Sequence, residues 1–215
     1  MTADIGMVFV VDDDQRVCEA VCDLLAARGI ATAAFSSVGA YAAFVRPDLP
    51  GCLLLDVELP DVNGLEFQTQ MSREDHPPIV FVTGHGNIQS SVRAMKGGAV
   101  DFLTKPFLEH ELLNSIQAAF ALDRSNRRRR TELTMLQAQL AHLTPRERQV
   151  LPLVASGLLN KQAAAELGIS EVTLQIHRSK IMRKLNAHSV VDLVHMTEKL
   201  GIRTDTSRRS GVTIK

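Results

Sequence analysis

The run Cys52-Leu-Leu-Leu-Asp56 constrains this chain more than any other feature. It is short, unbroken in its apolar character and set off by Pro50-Gly51, so it reads as a strand covered on both faces, the pattern of parallel sheets. Asp56 then lies at the carboxyl end of that strand, where open α/β sheets place their ligand sites. A second such run, Met7-Val-Phe-Val-Val11, ends in Asp12-Asp13-Asp14. Two parallel strands ending this way crowd three or four carboxylates into one cleft. Like charges at that range repel and raise each other's pKa unless a cation joins them. Hard oxygen donors suit a divalent ion, most simply Mg²⁺.

Strand-like runs recur near 7–12, 30–35, 51–56, 79–83 and 100–103. Helical patterns fall near 14–28, 37–46, 64–74, 87–97 and from about 109 onward. This alternation predicts an α/β fold, a doubly wound five-stranded parallel sheet with helices on both faces. The strand Ile79-Val-Phe-Val82 ends in Thr83, and Val100-Asp-Phe-Leu103 runs into Thr104-Lys105-Pro106. Asp, Asp, Thr and Lys at the ends of four strands suit a phosphoryl group. Lys105 and a metal balance its charge, and Thr83 donates to one of its oxygens. Asp56 is then a nucleophile that becomes an acyl phosphate.

The pieces "VVDDD", "LLLDVELPDVNG", "VTGHG" and "FLTKPF" together resemble the receiver domain of two-component response regulators. The resemblance implies that a sensor histidine kinase phosphorylates Asp56. It implies that Asp13, Asp56 and the backbone carbonyl of Glu58 ligate Mg²⁺, with Asp12 holding a metal-bound water. Asp14 is read as the cap of the following helix. Thr83 and Phe102 would form the switch, the ring turning into space that the threonine vacates. The Lys105-Pro106 bond would be cis. The Glu58 side chain either adds charge beside the phosphoryl group or points to solvent. His85 reads as a structural loop residue. Receivers of the FixJ type pair through positions that match Val92, Lys96 and Asp101, which implies a homodimer formed on phosphorylation.

The formal net charge of zero hides a division. Residues 1–123 carry 7 Lys+Arg against 17 Asp+Glu, a net of −10; residues 124–215 carry 17 against 7, a net of +10. A basic half calls for an anionic partner, first of all nucleic acid. Within it Thr144 and Glu147 form a capping box with Pro145 in the first turn. A short helix from Asn160 to Leu167 precedes Gly168, and Ser170 caps a helix over 171–185. That is a helix-turn-helix. On a 3.6-residue wheel Leu174, Ile181 and Leu185 share the buried stripe. Val172, Ile176, Ser179 and Arg183 share the opposite one, flanked by Gln175 and Lys180. Gln175, Ile176 and Ser179 are expected at base edges, and Lys161, Lys180, Arg183 and Lys184 at phosphates, with Thr173 beside them. "LTPRERQVL", "NKQAAAELGISEVTLQIHRSKIMRKL" and "SVVDLV" resemble the LuxR/FixJ-type DNA-binding domain.

The expected organisation is a receiver over 1–122, a helical linker over 123–142, a LuxR-type helix-turn-helix domain over 143–202 and a disordered tail over 203–215. Leu133, Leu136, Leu140 and Leu143 either pack on the second domain or form a dimer stem. Arg127 to Arg130 are either a solvated face or phosphate contacts. The absence of a signal pattern or a span of ~18–20 apolar residues gives a cytoplasmic expectation without membrane contact. Cys18, Cys22 and Cys52 read as reduced thiols. The leading reading is a promoter-binding transcription regulator switched by phosphorylation, not an enzyme. One competitor is a phosphatase acting through Asp56. Another is a constitutive DNA-binding regulator whose receiver serves only for dimerisation.

Overall fold

The computed structural model describes residues 6–71 and 76–204. The end of the helix expected at 64–74, and all of the expected tail but residues 203 and 204, lie outside the described residues. The chain divides between Arg127 and Arg128 into two compact units.

The first unit alternates strand and helix: β1 (Met7–Val11), α1 (Gln15–Ala26), β2 (Ala31–Phe35), α2 (Val38–Ala43), β3 (Gly51–Leu55), α3 (Gly64–Gln70), β4 (Ile79–Thr83), α4 (Ile88–Gly97), β5 (Asp101–Thr104) and the start of α5 (Glu109–Ala141). All strands are parallel, in the order β2-β1-β3-β4-β5. Successive strand residues face opposite sides of the sheet, which splits the core in two. Val8, Val10, Cys52, Leu54, Val80 and Val82 meet α1 and α5 through Val21, Leu25, Leu112 and Ile116. Phe9, Val11, Leu53, Leu55, Ile79 and Phe81 meet α2, α3 and α4 through Tyr41, Leu65, Phe67 and Ala94. β3 and β4 are buried at every position, as uninterrupted apolar runs require.

α5 is longer than a receiver needs and spans the division between the units. Before it leaves the first unit it is fastened by Asp123, whose buried carboxylate accepts from the Gly51 N–H at 2.9 Å and from Arg127 Nε at 2.8 Å. Arg127 also pairs with Asp48, so it belongs to this fastening rather than to a basic surface. Arg128 and Arg129 are exposed.

The second unit takes the last turns of α5 with α6 (Pro145–Ala155), α7 (Asn160–Leu167), α8 (Glu171–Lys184) and α9 (Val190–Lys199). Leu140 and Leu143 join its core, Leu136 is buried and Lys199 pairs with Glu132 at 2.5 Å. Of the two readings of the leucine seam, these contacts carry packing on the second domain. The starts of α6, α8 and α9 are written in the sequence. The Thr144–Glu147 box closes in both directions, Ser170 accepts from the Thr173 N–H and Ser189 from the Asp192 N–H. Gly168 ends α7 in the left-handed region, at φ 64°.

Candidate functional site

The carboxyl ends of β1, β3, β4 and β5 converge on one cleft in the first unit. Asp12 and Asp56 are buried, at 3% and 7% exposure, and Asp13 is exposed. Each offers one oxygen within 4.8 Å of the others. Lys105 enters from beyond β5 and donates to Asp12 at 2.5 Å and to Asp56 at 3.0 Å. Three carboxylates facing one ammonium leave the cleft negative, the environment a divalent cation neutralises. Burial lifts the Asp12 carboxyl above its ordinary value, against the pull of its bonds to Lys105 and to the Asp14 N–H. Burial lowers the Lys105 pKa, but its bonds to the two aspartates prevail and hold it above the ordinary value. Asp14 caps α1 by accepting from the Arg16 N–H at 2.9 Å. The Lys105-Pro106 bond is cis.

Backbone groups steady both ends of the cleft. The Glu58 N–H donates to Asp56 Oδ1 at 3.2 Å, and the His85 N–H donates to Thr83 Oγ1 at 3.3 Å. The Glu58 side chain is largely exposed, with its Oε2 3.4 Å from His85 Nδ1. Thr83 is buried at the end of β4, and the half-buried Phe102 ring sits 6.2 Å from that of Phe81.

Two residues that sequence reasoning passed over complete this geometry. A Cβ at Gly64 would lie 2.3 Å from the Asp56 carbonyl oxygen, so only glycine lets α3 start so close behind the cleft. A Cβ at Gly86 would lie 2.6 Å from the Thr104 methyl and 3.0 Å from the Phe102 ring. Glycine there lets the loop after β4 close against the end of β5. Asn63-Gly64 was legible as a turn and Gly86 only as part of "VTGHG"; neither close approach was legible.

Of the expected pairing residues, Val92 and Lys96 stand exposed on α4, with Ile88 and Met95 also exposed on that helix. Asp101 is placed differently. Its carboxylate accepts from the Phe102 N–H at 2.8 Å and from Ser115 Oγ at 2.6 Å, so both its oxygens are engaged inside the chain.

In the second unit Leu174, Ile181 and Leu185 are fully buried, and Val172, Gln175, Ile176, Ser179, Lys180 and Arg183 are exposed on α8. Lys161 is exposed on α7. Thr173 is half-buried, its hydroxyl 2.8 Å from that of Ser170. Lys184 departs from the expectation of a phosphate contact. Its ammonium lies 2.7 Å from buried Glu147 and donates to the His142 carbonyl at 3.1 Å. It ties α8 to α6 because a buried carboxylate needs a partner. Burial pushes the Glu147 carboxyl up, but the bonds from Lys184 and Thr144 prevail and hold it below the usual range. Cys18, Cys22 and Cys52 are free thiols; Cys18 donates to the Asp12 carbonyl at 3.4 Å, and burial pushes it up to about 11. Among the described residues no helix is long and apolar enough to cross a membrane.

Residues 8–117 match the response regulator receiver domain, and residues 141–197 match the luxR family of bacterial regulatory proteins. Nodulation protein W of Bradyrhizobium diazoefficiens is 44% identical over 208 residues, covering 96% of this chain and 92% of that protein. The transcriptional regulatory protein FixJ of Azorhizobium caulinodans is 35% identical over 196 residues, covering 91% and 93%. Among solved structures the response regulator StyR is 44% identical, with a TM-score of 0.75 over 91% of this chain and 99% of that one. Full-length FixJ of B. japonicum is 33% identical, with a TM-score of 0.52 over 92% and 98%.

Proposed function

This chain belongs to the two-component response regulators that join a receiver to a LuxR-type DNA-binding domain, and from that premise we propose that phosphorylation of Asp56 switches its binding to promoter DNA. The observation that carries the reading is Lys105, which reaches Asp12 and Asp56 at once and so supports a phosphoryl group bound on Asp56 beside its ammonium. Family membership makes the chain a transcription regulator, which sets aside the phosphatase reading.

The partner sensor kinase presents a phosphohistidine. An oxygen of Asp56 forms the new O–P bond as the donor's P–N bond breaks. Lys105 stands ready to follow the charge onto the transferred group, because its present partners are the two carboxylates beside it. Thr83, at the rim of the same cleft, supplies a hydroxyl for a phosphoryl oxygen. Asp12, Asp13, Asp56 and the Glu58 carbonyl fit Mg²⁺, since the set is all oxygen and three of its members converge. When bound, the ion neutralises charge on the phosphoryl oxygens. The exposed α4 residues Val92 and Lys96 form the surface through which phosphorylated chains pair. A pair of second domains then reads two half-sites, and affinity and specificity rise together. α8 enters the major groove with Gln175, Ile176 and Ser179 toward base edges and Lys180 and Arg183 toward phosphates. Lys161 meets the backbone from α7.

The test is DNA affinity of the full chain before and after treatment with acetyl phosphate, beside Asp56→Asn. The expected result is tighter binding and dimer formation in the parent only. Equal affinity in both states would leave a constitutive regulator whose receiver only dimerises.

A further inference from the structure

We propose that the Asp101–Ser115 hydrogen bond is the positioning link that ties the expected switch strand to α5, and that it changes partner when the cleft is phosphorylated. The inference rests on the reading above and extends it to residues outside the cleft.

β5 is an edge strand, paired with β4 alone. On it, Asp101 precedes Phe102 and accepts that residue's N–H at 2.8 Å. The second oxygen of Asp101 accepts from Ser115 Oγ at 2.6 Å. One side chain therefore holds both the backbone of Phe102 and the helix behind it. Ser115 is 3% exposed and lies between Leu112 and Ile116, which are fully buried. Alanine would fill that place as well by volume. A hydroxyl there is explained by its acceptor, and a bond to a carboxylate is stronger than one to a neutral group.

The hydroxyl also has a second acceptor, the Glu111 carbonyl at 2.9 Å. It carries one proton and can serve only one of the two at a time. Were β5 to shift as Phe102 turns toward Thr83, Ser115 could turn its O–H to the Glu111 carbonyl and remain satisfied. The carboxylate is the stronger acceptor, so at rest Ser115 holds Asp101, and the Glu111 carbonyl keeps the buried hydroxyl satisfied once β5 moves away. A two-arrangement element of this kind is what coupling between distant parts of a protein requires. Its far side is α5, the helix that spans the division between the units.

The experiment is a double-mutant cycle on the full chain with Ser115→Ala, Asp101→Ala and both together. Mass spectrometry measures Asp56 labelling by acetyl phosphate, DNA titration measures the response at equal labelling, and thermal unfolding confirms a folded chain at the assay temperature. Fluorophenylalanine labelling adds an independent probe, with the Phe102 resonance identified by its loss in Phe102→Leu. Ser115→Ala is expected to leave labelling unchanged and to reduce the phosphorylation response about fivefold or more, the lower end of common coupling. The double variant should be no worse than either single one. The Phe102 resonance should move in both single variants even without phosphorylation. A full response in Ser115→Ala, or additive losses in the cycle, would overturn the link. So would loss of response in Asp101→Ala alone, since Asp101 would then act between subunits. If the parent itself shows no response while the resonance moves in both single variants, the phosphorylation reading fails and the positioning role stands.

Discussion

In the cleft, functional side chains hold one another: Lys105 is bonded to Asp12 and Asp56, and the backbone beside Glu58 and His85 is bonded to Asp56 and Thr83. On α8 the expected reading face stands in solvent, and only the opposite stripe is packed. The first arrangement suits chemistry, which needs groups placed before the reaction and shielded from water. The second suits recognition of a polyanion, which needs charges free to exchange counterions for phosphates. Substitutions should therefore act steeply in the cleft and by degrees on α8.

The largest expected effect is at Asp56. Asp56→Asn should take no label from acetyl phosphate with Mg²⁺ present, read by mass spectrometry. Labelling equal to the parent would break the comparison at its root, because another group would then be the acceptor.

Glu147 tests whether the second unit has a buried ionic centre of its own. Glu147→Ala removes half of a capping box and leaves Lys184 without its carboxylate, so unfolding of residues 124–215 should cost about 2 kcal/mol less. The pH dependence follows from the lowered pKa of Glu147. A carboxyl held below its unfolded value stabilises the fold above that value and loses the contribution as pH falls through the folded one. Acidification below the usual carboxylate range should lower the melting temperature of the parent fragment more than that of Glu147→Gln.

Lys180 and Lys184, four residues apart on one helix, sharpen the contrast further. Lys180→Ala should flatten the salt dependence of DNA binding by about one unit at unchanged stability. Lys184→Ala should leave the slope nearly unchanged and destabilise the fold instead. A slope change from Lys184→Ala as large as that from Lys180→Ala would mean that its ammonium leaves Glu147 for DNA.

The smallest effect is expected from Gln175. Its exchange should redistribute preference among sites, by about 1–3 kcal/mol at one base pair, with little change in non-specific affinity. A uniform loss across sequences would place Gln175 on the backbone instead of a base edge.

What was legible in the sequence followed from local rules. An apolar run ending in a carboxylate places Asp12 and Asp56 at strand ends, because a parallel strand covered on both faces admits no interior charge. Period and capping placed α8 and its two faces, because a helix start needs an acceptor and a buried stripe needs 3.6-residue spacing. The same rules could not say which partner each surface charge takes. Lys184 and Lys180 look alike in sequence, and only the packing of α6 against α8 brings Glu147 to one of them. Asp101 reads, by the resemblance, as a pairing residue until α5 places Ser115 beside it. Gly64 reads as a turn residue and Gly86 only as part of "VTGHG" until the fold brings the Asp56 carbonyl and the Phe102 ring within reach. Sequence alone determined the elements, the carboxylates at the strand ends and the two faces of α8, because those depend on neighbours along the chain. Tertiary structure decided the ionic partners, the close approaches and the Asp101–Ser115 bond. These join residues up to dozens of positions apart, and no local pattern encodes the distance between them.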